Sequence, residues 1–251
     1  EGHRGMGRHE PENTLQSFAR AIDEELDGVE LDVWLTKDKK VIVVHSHAVD
    51  GVTGYVDFDD GVTRKVTDMN YIDIRQLRIL KGHIIPTLEE VFRLTKGKVC
   101  VNVEFKGFDL EGALEVLKLC KAHSMLEQVQ FSSFNWAFAE ELDKARKTLN
   151  IEERQPFGFL TGSFDVQRAY TLGKAGDAVS LGWDLIQSSR ENFEKIVKEA
   201  EANKFKVKMY FSYTNTESYE DYKYLQTLDL DTVITNEPFQ MKRYYQEQIR
   251  Q

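Results

Sequence analysis

The stretch that decides the fold runs from Gly28 to His45, GVELDVWLTKDKKVIVVH. Apolar and β-branched residues dominate it on both sides of a polar turn, so it predicts two extended segments, 29–35 and 41–44. Glu30 and Asp32 lie on the same face of the first segment, about 6.5–7 Å apart along the chain. Because charges on a buried face are costly unless they are compensated, the stretch predicts a metal or a cationic substrate beside this strand.

Strands and helices alternate regularly through the rest of the chain. The first two predicted strands are a clipped strand before His3 and the strand at 29–35. Six more follow, each with a helix after it, at 98–105, 128–132, 156–160, 177–181, 205–211 and 231–235. Strict alternation is typical of a parallel sheet, and eight such units in 251 residues predict an α/β fold, the (β/α)8 TIM barrel. A doubly wound open sheet is the alternative, but the loop His3-Arg4-Gly5-Met6-Gly7 has only the first two glycines of the usual GxGxxG signature.

One barrel domain is expected over 1–251, with a loop-rich insertion at about 46–84 after the second strand. The insertion is rich in glycine and aspartate and holds a predicted short helix at 72–79. It is longer than an ordinary βα connection, and long loops of this kind usually carry functional residues or cover a site. The next helix begins with Thr87 as its N-cap and Glu90 at the capping-box position.

The composition limits the classes of partner. Lys and Arg number 33 against 42 Asp and Glu, which gives a net charge of −9 and argues against a broad nucleic-acid footprint or binding to an anionic membrane. No apolar stretch is long enough for stable membrane insertion, and no signal peptide is visible. Cys100 and Cys120 form neither a metal-type spacing nor a disulfide framework, which favours a cytoplasmic location. The chain opens abruptly before His3, so further residues are expected upstream, and the oligomeric state is not set by the sequence.

Three carboxylates stand where a barrel would bring them together. Function in this fold collects at the C-terminal ends of the strands, and Glu104 lies in the strand predicted at 98–105 as Glu30 and Asp32 do in theirs. Oxygen-only ligands suit a hard cation, so the sequence predicts one divalent cation, Mg²⁺ or Ca²⁺, rather than zinc. One such carboxylate alone would be read as a salt-bridged residue at a strand end.

Two histidines and two cationic side chains are expected at the same ends of the strands as these carboxylates. His3 and His45 follow separate strands and fit a general acid and a general base, in an order that the sequence leaves open. Arg4 and Lys106 supply positive charge for phosphate oxygens. A metal, two imidazoles and two cations together indicate phosphoryl transfer. His47 shares a face of the chain with His45 and is a second candidate for the working imidazole.

Several motifs occur in one order from His3 to Pro238: HRG, PENTLQSFARAI, GVELDVWLTKDKKVIVVH, IPTLEEVF, VNVEFK and DTVITNEP. This combination resembles the glycerophosphodiester phosphodiesterase family. The resemblance implies a (β/α)8 barrel, a divalent metal, a small-molecule glycerophosphodiester substrate, and hydrolysis to sn-glycerol 3-phosphate and an alcohol. The residues at the family's functional positions are Glu30, Asp32 and Glu104 for the metal, His3 and His45 for acid–base catalysis, and Arg4 and Lys106 for phosphate.

Two positions depart from the family's usual pattern. Ser46 follows His45 where the family often has Asp, which bears on a carboxylate near the metal. After the seventh strand, the segment 212–215 lacks the family's usual tryptophan. An aromatic side chain that would lie beside the substrate is therefore missing there. Phe211 or Tyr213 is the candidate replacement. Both departures concern substrate choice and metal affinity more than the type of reaction.

Two other functions remain open at this stage. A lysophospholipase D or a sphingomyelinase-D-like lipase on the same barrel would need an apolar trough beside the metal. The insertion has few large apolar residues, which favours a small polar head group instead. A non-catalytic binding barrel would be expected to lack a metal ligand or a histidine, and the sequence retains them all.

Overall fold

A curled sheet forms the centre of the computed structural model, which describes residues 1–45, 65–78, 82–107 and 109–249. Within those residues the sheet has eight strands in the order β2-β1-β3-β4-β5-β6-β7-β8. The strands are β1 Gly28–Leu35, β2 Val41–Val43, β3 Cys100–Phe105, β4 Val129–Ser133, β5 Phe157–Thr161, β6 Ala178–Gly182, β7 Lys206–Tyr210 and β8 Thr232–Ile234. From β1 through β3 to β8 all neighbours are parallel, whereas β2 returns antiparallel to β1 as a hairpin.

The predicted strand before His3 is a single bridging residue that closes the barrel. Gly2 forms parallel bridges to both Val29 and Thr235, and so joins β1 to the end of β8. Its N–H donates to the Gly28 carbonyl at 2.9 Å, and the N–H of His3 donates to the Thr235 carbonyl at 2.9 Å. Only glycine fits here, because a Cβ on Gly2 would lie 1.8 Å from a backbone oxygen of the following loop. The predicted (β/α)8 barrel is therefore confirmed.

Helices alternate with the strands and cover the outside of the sheet. They are α1 Leu15–Asp23, α2 Tyr71–Ile74, α3 Leu88–Thr95, α4 Leu110–Ala122, α5 Phe138–Thr148, α6 Gln167–Leu172, α7 Trp183–Ser188, α8 Arg190–Ala202, α9 Tyr219–Leu225 and α10 Pro238–Ile249. The capping box of Thr87 and Glu90 is present at the start of α3. Among the described residues of the helix predicted at 72–79, only those in α2 are helical. The short helix α7, after β6, was not predicted.

Two apolar clusters hold the described elements together. The larger one lies between the sheet and the helices. The smaller one places Val66, Ile74 and Leu77 against Ile42 and Val44, so the described part of the insertion packs on the β2 hairpin that leads to His45. Most of the predicted insertion, at 46–64 and 79–81, lies outside the described residues, and so do Ser46 and His47.

A buried carboxylate ties the N-terminal ends of β5 and β6. Asp177 is fully buried and accepts both arms of the Arg154 guanidinium, at 2.6 and 2.7 Å. It also accepts the backbone N–H groups of Phe157 and Lys174, each at 2.8 Å. The ion pair therefore fixes the strand starts at the edge of the barrel opposite to the predicted site.

Asp177→Ala is expected to lower the free energy of unfolding by about 3 kcal/mol, because it leaves a part-buried guanidinium and two backbone donors without their acceptor. Urea denaturation measures the change. Lys118→Ala, which removes the exposed ion pair with Glu115, is the control and should change stability little. Equal stability of the Asp177 variant and the wild type would contradict a structural role for this ion pair.

Candidate active site

The register of two neighbouring strands brings the three predicted carboxylates together. Asp32 on β1 pairs with Glu104 on β3, and Glu30 lies two residues earlier on the same face. Each of the three side chains offers an oxygen, and these oxygens lie within 4.8 Å of one another. All three residues are buried, and Asp32 is fully so. A group of three buried carboxylates at the C-terminal edge of a barrel is an arrangement that a cation would stabilise.

The charges in this cluster fit a divalent cation. Glu30 Oε1 is buried and has no hydrogen-bond partner among the described residues. Burial, together with the charges of Asp32 and Glu104, raises the pKa of Glu30 well above its ordinary value. Burial also raises the pKa of Glu104 to about 7, against the opposing effect of Lys106. An all-oxygen, anionic donor set with an unsatisfied oxygen suits Mg²⁺ or Ca²⁺.

Asp32 is hydrogen-bonded to an asparagine that was not predicted to belong to the site. Asn13 Nδ2 donates to Asp32 Oδ2 at 2.8 Å, and the Asp32 backbone N–H donates back to Asn13 Oδ1 at 3.3 Å. Asn13 adopts a left-handed backbone conformation, with φ of 56°, which asparagine tolerates better than most residues. In the sequence, the signal for Asn13 is its place in the PENTLQSFARAI motif.

The two predicted phosphate contacts lie beside these carboxylates. Arg4 donates its backbone N–H to Glu30 Oε2 at 2.9 Å, and its guanidinium donates to Glu12 Oε2 at 2.7 Å. Lys106 Nζ lies 3.1 Å from Asp32 Oδ1 and also donates to Glu104. Burial acts against the charged forms, but the neighbouring carboxylates raise the pKa of both Arg4 and Lys106.

Those two cations also act on the acid between them. Burial alone would raise the pKa of Asp32, yet Lys106 and Arg4 hold it below its ordinary range. Asp32 therefore stays ionised beside two carboxylates whose pKa values are raised. The site thus combines one firmly charged carboxylate with two whose charge a bound cation would stabilise.

The two predicted acid–base histidines, which belong to different motifs, line the same cavity. His3 is 8% exposed, and its Nδ1 lies 2.7 Å from Asn236 Oδ1. Burial, aided by the Arg4 charge, lowers the pKa of His3 to about 3. Burial also lowers the pKa of His45 to about 4, against the effect of Asp32. Both imidazoles are therefore neutral near pH 7 in the protein alone.

A cavity of about 170 Å³ joins these groups at the C-terminal ends of the strands. Its described lining residues are His3, Arg4, Glu30, His45, Glu104, Lys106, Ser132, Phe134, Leu160, Tyr210, Ser212, Tyr213 and Ile234. A larger cavity, of about 640 Å³, lies at the opposite ends of the strands, and none of the predicted site residues is among its described lining residues. The chemistry therefore collects in the smaller cavity.

An aromatic wall lines one side of this cavity. Tyr213 packs edge-on against the His3 ring, with centroids 5.8 Å apart, and lies under the Arg4 guanidinium at 4.5 Å. Phe211 is instead fully buried and packs against Trp183. Of the two candidates for the missing aromatic wall, Tyr213 is thus the one that borders the cavity. Phe134, which is 54% exposed, adds a ring that the sequence analysis did not single out.

The fold and the site define an (β/α)8 barrel with an acidic, metal-type centre at the C-terminal ends of its strands. The family model described as "Glycerophosphoryl diester phosphodiesterase family" matches residues 3–239. The chain belongs to this family, and the resemblance read from the motifs is confirmed. The structure has no helix among its described residues that is long and apolar enough to cross a membrane.

Three known proteins illustrate the relationship. A glycerophosphodiester phosphodiesterase of Caldanaerobacter subterraneus subsp. tengcongensis is 37% identical over 153 residues, which cover 59% of this chain and 63% of that protein. A glycerophosphodiester phosphodiesterase structure from Thermotoga maritima is 26% identical, with a TM-score of 0.69 over 94% of this chain and 93% of that one. An Oleispira antarctica phosphodiesterase, solved in complex with the product sn-glycerol-3-phosphate, is 20% identical, with a TM-score of 0.78 over 98% and 95%.

Asn13→Leu is expected to weaken the binding of Mg²⁺ or Ca²⁺ by about 10- to 100-fold, because Asp32 loses the amide that fixes its carboxylate. Isothermal titration calorimetry measures the dissociation constant. Asn192→Leu changes an exposed asparagine on α8 and should bind the cation as the wild type does. If the Asn13 variant also bound it with wild-type affinity, Asn13 would have no part in the site.

Proposed function

We propose that this protein hydrolyses glycerophosphodiesters to sn-glycerol 3-phosphate and an alcohol, with one divalent cation and with His3 and His45 as its acid–base pair. The observation that carries the proposal is that one cavity collects buried carboxylates, two cationic side chains and two imidazoles. The family membership supports the reaction, and so does the sn-glycerol-3-phosphate bound to the Oleispira antarctica relative.

Glu30, Asp32 and Glu104 would hold the cation, which is Mg²⁺ or Ca²⁺ on the basis of the oxygen donors. When bound, it would polarise a phosphoryl oxygen and stabilise the negative charge that grows there during the reaction. Arg4 and Lys106 remain charged beside the same cavity. Their role is to bind the phosphate and to offset the same developing charge.

The two imidazoles move the protons. One accepts a proton from the nucleophile, which is water or the neighbouring glycerol hydroxyl, as the new O–P bond forms. The other, as an imidazolium in the substrate complex, donates a proton to the leaving oxygen as the P–O bond to the alcohol breaks and returns to its neutral form. If the glycerol hydroxyl attacks, a cyclic phosphate forms first and water opens it in a second step. Acid–base catalysis of this kind contributes about 10²–10⁴-fold.

The dimensions of the cavity favour a small substrate. Its volume of about 170 Å³ is below the roughly 300–1,000 Å³ of pockets that bury drug-sized ligands. Its described lining combines the charged groups with a few apolar side chains, of which Phe134 stands at the mouth. A glycerophosphodiester with a small polar alcohol is therefore favoured over a lysophospholipid, which would need an apolar trough.

Removal of divalent cations with excess chelator is expected to abolish hydrolysis of glycerophosphocholine, and excess Mg²⁺ or Ca²⁺ should restore it. Choline release in a coupled assay measures the rate, and lysophosphatidylcholine is the comparison substrate. Full activity of protein shown to be metal-free would contradict the metal dependence. A higher kcat/KM for the lysophospholipid would instead favour the lipase alternative.

His45→Ala is expected to lower kcat by about 10²–10⁴-fold, because one proton transfer loses its catalyst. His123→Ala provides the matched control, since His123 ends α4 and lies beside Glu89 on the outside of the barrel. Steady-state kinetics with glycerophosphocholine separate the two variants. A His45 variant with wild-type kcat would exclude this histidine and would leave His47 as the candidate.

A further inference from the structure

The His3 ring is bound by a buried asparagine that does not line the cavity. Asn236 follows β8, is fully buried, and has its Oδ1 2.7 Å from His3 Nδ1. Its Nδ2 donates to the Ser212 carbonyl at 2.9 Å. A carbonyl oxygen only accepts hydrogen bonds, so this contact sets the orientation of the amide and turns its oxygen toward the imidazole.

That orientation determines which ring nitrogen carries the proton. The amide oxygen of Asn236 cannot donate, so the hydrogen bond requires a proton on His3 Nδ1. In the neutral ring the other nitrogen, Nε2, is then unprotonated. Nε2 lies 3.8 Å from Glu30 Oε2, on the side of the ring that faces the carboxylate cluster. The free lone pair of His3 therefore lies on the side of the ring that faces the carboxylate cluster and the cavity.

A second buried carboxylate, outside the predicted metal cluster, holds Asn236 in place. Glu217 Oε1 accepts the backbone N–H of Asn236 at 2.6 Å. Its Oε2 accepts the hydroxyls of Thr235 and Tyr222. Glu217 is itself buried, and none of its contacts is with a residue of the proposed metal or acid–base groups. Its bonds instead fix the turn from β8 into α10, which carries Asn236.

The loop that carries His3 is fastened to the same turn. The N–H of Arg8 donates to the Asn236 carbonyl at 3.0 Å. Gly7 packs so closely that a Cβ there would lie 2.0 Å from the same carbonyl oxygen. These backbone contacts hold the loop and the turn together and so keep His3 next to Asn236.

We propose that Asn236 is a positioning residue that selects the Nδ1–H tautomer of His3, and that Glu217 fixes Asn236 for this purpose. The proposal rests on the proposed function, because the tautomer matters only if His3 takes part in proton transfer. In this form Nε2 of His3 accepts a proton from the nucleophile, and His45 is left to protonate the leaving oxygen. The asparagine thereby gives the two histidines different roles.

The tautomer is measured directly by NMR of Mg²⁺-loaded protein labelled with ¹⁵N-histidine, in which long-range proton couplings distinguish the two ring nitrogens. The His3→Gln variant assigns the His3 signals. The wild type is expected to show Nδ1 protonated and Nε2 free. Asn236→Leu, which removes the acceptor and excludes water, is expected to lose this pattern. It should lower kcat for glycerophosphocholine by about 10- to 100-fold, with little change in KM.

Two further variants separate positioning from general damage. Asn236→Asp keeps an acceptor oxygen for Nδ1–H, so it should retain the tautomer and recover most of the kcat that Asn236→Leu loses. Gln128→Leu removes an amide that makes several backbone hydrogen bonds near the N-terminal end of β4. It should leave both the His3 tautomer and kcat unchanged.

The results that would overturn the proposal are equally direct. A wild-type spectrum with the proton on Nε2 refutes it, and this holds even if Asn236→Leu does not fold. An altered tautomer in Asn236→Leu with wild-type kcat also refutes the positioning role. If the wild type hydrolyses no glycerophosphodiester, the proposed function fails, while the NMR result still decides the tautomer.

Discussion

The concentration of like charge beside β1 and β3 is the constraint on which the site depends. The parallel register sets Asp32 against Glu104, and the period of two adds Glu30 on the same face. Arg4 and Lys106 offset part of this charge, and Asn13 fixes the carboxylate between them. Burial, and after it the neighbouring carboxylates, still raise the pKa values of Glu30 and Glu104 despite these two cations. A bound cation would therefore stabilise the carboxylates that the barrel brings together here.

Closure of the barrel brings this cluster next to His3, one of the two proposed acid–base groups. The first residues pair with β1 on one side and with the end of β8 on the other. Arg4 therefore reaches Glu30 through its backbone, while the preceding His3 turns toward Asn236. One short segment thus contributes both to the carboxylate cluster and to the proposed acid–base pair. The glycines of this segment fit tightly against neighbouring backbone, where a Cβ on Gly2 or Gly7 would lie 1.8 or 2.0 Å from a carbonyl oxygen.

Much of the fold and the core of the site could be predicted from local patterns. Strand and helix periodicity, the capping box at Thr87 and the spacing of Glu30 and Asp32 are short-range features, and parallel strands bring their C-terminal ends to one edge. The errors were short-range as well. The helix predicted at 72–79 extends only over α2, and α7 was missed.

The sequence by itself determined the alternation of elements, the chemistry of the groups at the strand ends and the order of motifs that defines the family. Only the tertiary structure decided which polar residues support those groups. Asn13 contacts a strand 19 residues away, and Asn236 contacts a histidine 233 residues away. It also decided that Tyr213, and not Phe211, borders the cavity. Spacing along a chain predicts which face a side chain occupies, but partners that meet only when the barrel closes are set by packing and leave no periodic signal.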